Sequence, residues 1–160
     1  MRGNTVLAPL AGVSNRPFRV LAVRAGAAMT FTEMVSSEGI IRHQEKTLSM
    51  MAFQPDEQPI GIQLFGADPE VMGRAAAITV ELFHPDVIDL NFGCPVKKVV
   101  NKNGGAAVLR DLVLTEEIIE RARLLRNHAM VVDDESLGYI YDVTDIGSQY
   151  MMSPLDAATI

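Results

Sequence analysis

The 160-residue sequence has one cysteine, no tryptophan and no apolar run near the roughly 20 residues that a membrane-spanning helix needs. A lone cysteine excludes an internal disulfide and is consistent with a reducing compartment. The N-terminus lacks the long apolar segment and small-residue cleavage site of a signal peptide. We therefore expect a cytoplasmic globular protein with no membrane partner.

Basic residues are absent from the last part of the chain. All 14 Lys and Arg residues lie at or before Arg126, together with 14 of the 20 Asp and Glu residues. Residues 127–160 hold the other six acids, all three Tyr and none of the six Phe. This change in composition predicts a domain at residues 1–126 and an acidic tail of uncertain structure at residues 127–160.

Short apolar runs alternate with helical patterns in the first two thirds of the chain. Strands are predicted in residues 5–13, 28–35, 59–66 and 87–93, and helices in residues 15–26, 37–51, 68–83 and 115–126. Asp68 and Thr115 are the predicted N-caps of the last two helices. The alternation predicts parallel βα units, which build either a TIM barrel or an open doubly wound sheet. Periodicity does not choose between the two.

Loops rich in Gly, Pro, Ser and Asn follow the predicted strands. In both architectures, functional loops gather at the carboxyl ends of parallel strands. The four loops on that rim are residues 8–13, 32–39, 63–69 and 91–98. We therefore expect a ligand site at this end of the sheet.

Cys94 stands in the fourth of these loops, between Gly93 and Pro95. A thiol in such a turn can point into a cleft, but an isolated cysteine is more often a small core residue. Gln63 raises a similar choice, because a polar side chain in an apolar strand faces either a ligand or a core partner. One Cys and three separated His residues form no metal-ligand pattern.

Three lysines follow the cysteine with no acidic residue between them. They are Lys97, Lys98 and Lys102. Such a cluster suits contacts to a phosphate backbone, although a solvated loop accounts for it equally well.

Four motifs, taken together, resemble the tRNA-dihydrouridine synthases, which are flavoenzymes built on a TIM barrel. The motifs are LAPLAGVSNRPFR (7–19), TFTEMVSSEG (30–39), QPIGIQLFGADPE (58–70) and IDLNFGCPVKKVVNKNGGAAVLRD (88–111). They stand in the family's order and at about its spacing. The resemblance favours an α/β fold made of the parallel βα units of a TIM barrel, here truncated to about half a barrel.

The resemblance implies a flavin site. Pro9, Leu10 and Ala11 match the first FMN-binding loop, although the family usually has Met where this chain has Leu10. Gln63 matches the glutamine that hydrogen-bonds the isoalloxazine ring. NADPH is the implied reductant of FMN.

The resemblance also implies a tRNA substrate, whose uridine is reduced to 5,6-dihydrouridine. Asn91 matches the asparagine that helps to hold the uracil ring, and Cys94 matches the cysteine that donates a proton to C5. The lysines of the family's basic loop, which lie near RNA, match Lys97, Lys98 and Lys102.

The resemblance ends after the helix predicted at residues 115–126. The family's flavin-contacting lysine, its functional histidine and its phosphate-binding loops have no counterpart in residues 127–160. An alternative expectation is therefore a catalytically inactive fragment or variant that binds flavin or RNA weakly. A half-barrel also leaves a sheet edge open, which predicts self-association.

Overall fold

The computed structural model describes residues 5–126. The strands found there are Val6–Leu7 (β1), Met29–Phe31 (β2), Val35–Ser36 (β3), Ile60–Phe65 (β4) and Val87–Leu90 (β5). The α-helices are Arg16–Arg24 (α1), Ser37–Ile41 (α2), Glu45–Met51 (α3), Pro69–Phe83 (α4), Lys97–Val100 (α5) and Leu112–Arg126 (α6). Residues Pro55–Glu57 and Gly105–Arg110 form 3₁₀ turns. The predicted boundary at 126 and the acidic tail lie outside the described residues.

All five strands belong to one parallel sheet. β1 pairs with β2, β2 and β3 both pair with β4, and β5 pairs with the other edge of β4. β2 and β3 are thus two halves of one interrupted strand, and the sheet has four strand positions in chain order. A doubly wound sheet reverses its strand order at a switch point, whereas a barrel does not. The α/β prediction is confirmed, and the order is that of half a TIM barrel.

The interrupted strand carries one extra residue. Thr30 pairs with Ile60, and Val35 pairs with Leu64, so five steps along one strand match four steps along its neighbour. An extra residue of this kind is a β-bulge, which locally breaks the ladder. Residues 32–34 therefore leave the strand and are available to the loops at the rim.

The core lies between β4 and the helices that follow it. Ile62 and Leu64 are fully buried, and they belong to one cluster with Met72 of α4 and Ile118 of α6. α4 and α6 approach closely at Gly73, where a Cβ atom would lie 2.9 Å from the carbonyl oxygen of Arg121. The alternate residues of β4, including Gln63, are turned to the opposite face of the sheet.

Of the two predicted N-caps, one is confirmed and the other is wrong. Asp68 caps α4 as predicted, because its carboxylate accepts the N–H of Val71 at 2.9 Å. Thr115 does not cap α6, which begins at Leu112. Asp111 supplies the cap, with its Oδ1 accepting the N–H of Leu114 at 3.1 Å. The Thr115 prediction was wrong because an aspartate one turn earlier provides a better acceptor.

β1 lies at one edge of the sheet, and no other strand of residues 5–126 pairs with its outer side. Val6 of β1 is 44% exposed, and Phe18 and Leu21 of α1 are 40% and 60% exposed. Self-association through this edge stays a prediction. No helix in residues 5–126 combines the length and the hydropathy that crossing a bilayer requires.

Candidate active site

Loops from separate strands meet at the carboxyl end of the sheet. The backbone N–H of Gly12, after β1, donates to the carboxylate of Glu33 in the interrupted strand. Asn91, after β5, donates from Nδ2 to the sulfur of Met34 at 3.3 Å. These contacts connect the first, second and fourth strand positions, as the sequence predicted for a common rim.

Gln63 lies directly opposite Asp89 in the register of β4 and β5. Gln63 Nε2 donates to Asp89 Oδ2 at 2.7 Å, and Gln63 Oε1 accepts from Asn91 Nδ2 at 3.1 Å. All three side chains are half-buried. Gln63 therefore lies on the sheet face away from the helices, where its hydrogen-bond partners are the side chains of Asp89 and Asn91. Asp89 was missed by the sequence analysis, although its position two residues before Asn91 places both on one strand face.

Asn91 forms the turn that presents Cys94. Its Oδ1 accepts the backbone N–H groups of Gly93 at 3.1 Å and of Cys94 at 2.9 Å. An asparagine side chain that accepts from the backbone two residues on is a common way to fix a turn. Cys94 is half-buried and its thiol is free. The structure therefore does not place it among the buried residues of the core.

The backbone of Cys94 is also held from its other side. Its carbonyl oxygen accepts the N–H of Ala106 at 3.1 Å, in the 3₁₀ turn. Gly105 makes this approach possible, because it has a φ of 58° and a Cβ atom there would lie 2.6 Å from the Cys94 carbonyl oxygen. Glycine adopts this left-handed backbone conformation readily because it has no Cβ atom. The cysteine is thus fixed by two separate segments.

The lysine cluster lies on and just after the short helix α5. Val99 is buried and anchors this helix, whereas Lys97, Lys98 and Lys102 are all exposed. None of the three forms an ion pair with the described residues. The sequence analysis did not predict α5, because four residues are too few for a periodic signal. The cluster begins three residues after Cys94 and is open to solvent.

The loop at Pro9–Ala11 is anchored by buried polar groups. Ser14 Oγ donates to the carbonyl oxygen of Leu10 at 3.1 Å, and the N–H of Leu10 donates back to Oγ at 3.0 Å. Arg19 Nη1 donates to the carbonyl oxygen of Ser14 at 2.9 Å. Leu10 itself is 45% exposed. The loop is held at its base and presents an apolar side chain at its tip.

The predicted site residues thus fall into three groups. Gln63, Asn91 and Cys94 are joined by hydrogen bonds. The Pro9–Ala11 loop adjoins Gly12, whose N–H donates to Glu33, and the three lysines are exposed on and just after α5. Among residues 5–126, no three His, Cys, Asp or Glu side chains are grouped so that they could hold a metal ion.

Comparison with known proteins gives a family. The profile described as dihydrouridine synthase (Dus) matches residues 6–127. The tRNA-dihydrouridine synthase B of Pseudomonas putida is 43% identical over 119 residues, which are 74% of this chain and 35% of that protein. Its namesake from Pseudomonas aeruginosa is 43% identical over 115 residues, which are 72% of this chain and 34% of that protein.

A more distant relative gives the same match. The probable tRNA-dihydrouridine synthase of Treponema pallidum is 37% identical over 120 residues, which are 75% of this chain and 35% of that protein. The chain thus spans about a third of the length of these relatives. The matched region contains every motif on which the resemblance rests. The chain therefore belongs to the dihydrouridine synthase family.

Proposed function

We propose that this protein is an oxidoreductase that reduces uridine in tRNA to 5,6-dihydrouridine, with Cys94 as the proton donor. The observation that carries the proposal is the turn in which Asn91, hydrogen-bonded to Gln63, fixes the backbone of a half-buried, free cysteine. The names of the relatives supply the substrate class, because they act on tRNA. The family membership supports the reaction type.

The rim has features that fit the ring of FMN. The exposed apolar tip at Leu10 offers a surface for a flat ring, and the half-buried amide of Gln63 offers a polar partner for its edge. We propose that Pro9, Leu10, Ala11 and Gln63 hold FMN. When bound and reduced by NADPH, FMN supplies the hydride for C6 of uridine.

Cys94 completes the reduction with a proton. The thiol transfers its proton to C5 of the uracil ring, and the resulting thiolate regains a proton from solvent. A general acid needs to stay within hydrogen-bonding reach of the atom that it protonates. The two backbone hydrogen bonds that hold Cys94, from its N–H and to its carbonyl oxygen, support such a fixed position. Asn91, three residues before Cys94 on the same turn, is proposed to hold the uracil ring with the Nδ2 hydrogen that otherwise meets the sulfur of Met34.

Binding of tRNA is assigned to the lysine cluster. Lys97, Lys98 and Lys102 are exposed and close to Cys94 in the chain, so phosphate contacts there would bring RNA to the rim. The target uridine has to leave its stack to reach the site, as it does for other enzymes that modify bases.

The alternative proposal is a fragment or variant that binds flavin or RNA without turnover. Two observations favour it. The described residues provide four strand positions, whereas a TIM barrel has eight. The residues described at the rim also include no second cluster of basic side chains that could neutralise the FMN phosphate.

The test combines flavin binding with uridine reduction. Purified protein is mixed with FMN, freed of excess ligand, and examined for the visible flavin absorption bands; NADPH oxidation and dihydrouridine in unmodified tRNA are then measured. We expect bound flavin and dihydrouridine in the wild type. Cys94→Ala should keep the flavin and NADPH oxidation and lose dihydrouridine. A protein that binds FMN but forms no dihydrouridine supports the alternative, and one that stays colourless contradicts the active enzyme.

A further inference from the structure

Asp89 accepts the first hydrogen bond of a series that leads to the cysteine. Asp89 Oδ2 accepts from Gln63, Gln63 Oε1 accepts from Asn91, and Asn91 Oδ1 accepts from the N–H of Cys94. We call this series, Asp89–Gln63–Asn91–Cys94, the amide relay. Its distances are 2.7, 3.1 and 2.9 Å, all within normal hydrogen-bond range.

The two ends of the amide relay fix the direction of every bond in it. A carboxylate only accepts hydrogen bonds, and a backbone N–H only donates them. Gln63 therefore has to turn Nε2 toward Asp89, and Asn91 has to turn Oδ1 toward Cys94. Gln63 Oε1 then faces Asn91 Nδ2, which is the one arrangement of the two amides that pairs an acceptor with a donor. Neither side-chain amide can flip without placing like groups against each other.

We propose that Asp89 is a positioning residue, which acts through Gln63 and Asn91 to hold the Cys94 turn in one geometry. Asp89 accepts the hydrogen bond that keeps Gln63 in place, and Gln63 in turn provides a strong acceptor for Asn91. If Gln63 Oε1 moves away, the acceptor that remains for Asn91 Nδ2 among the contacts described above is the sulfur of Met34, which accepts weakly. The benefit for proton donation depends on the proposed function, whereas the relay itself is a property of the folded chain.

Hydrogen exchange at single backbone amides tests the relay without flavin or tRNA. We expect Asp89→Ala to accelerate exchange at the Cys94 and Gly93 N–H groups about tenfold, the effect of losing roughly one hydrogen bond. The internal reference is the N–H of Asn91, which donates to the carbonyl oxygen of Leu64 at 2.8 Å. Its exchange should change much less, because it belongs to the main-chain ladder.

Two further variants serve as controls. The first tests whether Asp89 acts as a hydrogen-bond acceptor or through its charge, and the second tests whether general loosening of the sheet accelerates exchange. Asp89→Asn keeps an oxygen that accepts from Gln63, so exchange at Cys94 should stay within about threefold of the wild type. Asp86→Ala is the matched control, because Asp86 Oδ2 accepts the N–H of Ile60 at 2.8 Å at the other end of the same strand pair. It should leave exchange at Cys94 unchanged.

The proposal is overturned if Asp89→Ala leaves the Cys94 amide at its wild-type rate, or if Asp86→Ala accelerates it equally. If Asp89→Ala does not fold, Asp89→Leu decides, since it removes the acceptor of Gln63 and keeps a side chain of similar size. Acceleration at Cys94 in that variant supports the relay, and an unchanged rate overturns it. A colourless, inactive protein would contradict the proposed function, whereas hydrogen exchange at the Cys94 amide would still test the relay.

Discussion

Arg19 and Glu57 form a buried ion pair, in which Arg19 Nε lies 2.8 Å from Glu57 Oε2 and the two side chains are 3% and 0% exposed. The pair joins α1 to the 3₁₀ turn before β4. Arg19 also donates to the carbonyl oxygens of Ser14 and Ala52. The base of the Pro9–Ala11 loop therefore depends on a charged group that has no access to water.

Removing one member of this pair should be costly. We expect Glu57→Gln to lower the free energy of unfolding by about 3–5 kcal/mol, because Arg19 is left as a buried charge without a counter-ion. Urea denaturation measures the change. The control is Glu38→Gln, which breaks an exposed pair with Arg42 and should cost about 0.5 kcal/mol or less. Equal losses in the two variants would contradict the structural role of the buried pair.

Three glycines near the rim should differ in their tolerance of alanine. Gly105 combines a φ of 58° with a Cβ position 2.6 Å from the Cys94 carbonyl oxygen, so Gly105→Ala should cost about 1–3 kcal/mol. Gly12 has a φ of 75° and open space, so Gly12→Ala should cost about 1 kcal/mol. Gly93 has neither constraint, and its substitution should change stability least. Thermal unfolding of the three variants gives the order, and a different order would refute this explanation.

The lysine cluster should contribute to RNA affinity through charge. We expect Lys97→Ala, Lys98→Ala and Lys102→Ala each to weaken binding of unmodified tRNA at low salt, and each lost phosphate contact to reduce the slope of log K against log salt by about 1. Lys46→Ala is the control, since Lys46 is exposed on α3 and belongs to neither the lysine cluster nor the four rim loops. Equal weakening by Lys46→Ala would show that net charge alone governs binding.

The start of α6 provides a local test of the cap. Asp111→Ala should lower the free energy of unfolding by about 1 kcal/mol, because the N–H of Leu114 loses its acceptor. Asp111→Asn keeps an oxygen at the same place and should cost only a few tenths of this. Urea denaturation of both variants checks the difference, and a loss of similar size in Asp111→Asn would indicate that the charge matters more than the cap.

The sequence predicted the alternation of strands and helices along the chain well, because apolar runs such as Ile60–Phe65 are bounded by turn residues and followed by helical periods. The order of the strands in the sheet came from the family resemblance, since periodicity left two architectures open. It also placed Gln63 and Asn91 at the same edge, since parallel strands end together. Asp89 was missed because its partner lies 26 residues away in the chain, and a cross-strand pairing is set by register.

The buried pair of Arg19 and Glu57 was missed for a similar reason. Both residues look like ordinary surface charges in the sequence, and only the packing of α1 against a turn 38 residues later removes them from water. Charged residues are seldom fully buried, so composition gives no reason to expect them inside. Local patterns determine the elements, whereas contacts between distant elements determine which polar groups the site uses.

The extra residue between β2 and β3 changes which residues of this strand face the core. Before it, the even-numbered Thr30 and Thr32 are buried, and after it the odd-numbered Val35 is buried whereas Ser36 is half-buried. Side chains alternate strictly along an unbroken strand, so only an inserted residue can exchange odd for even. A deletion of one residue in 32–34 would leave four steps between Thr30 and Val35, as between their partners Ile60 and Leu64. Val35 would then stay on the core side of an unbroken strand, and the residues that the bulge now releases to the rim would be drawn into the sheet.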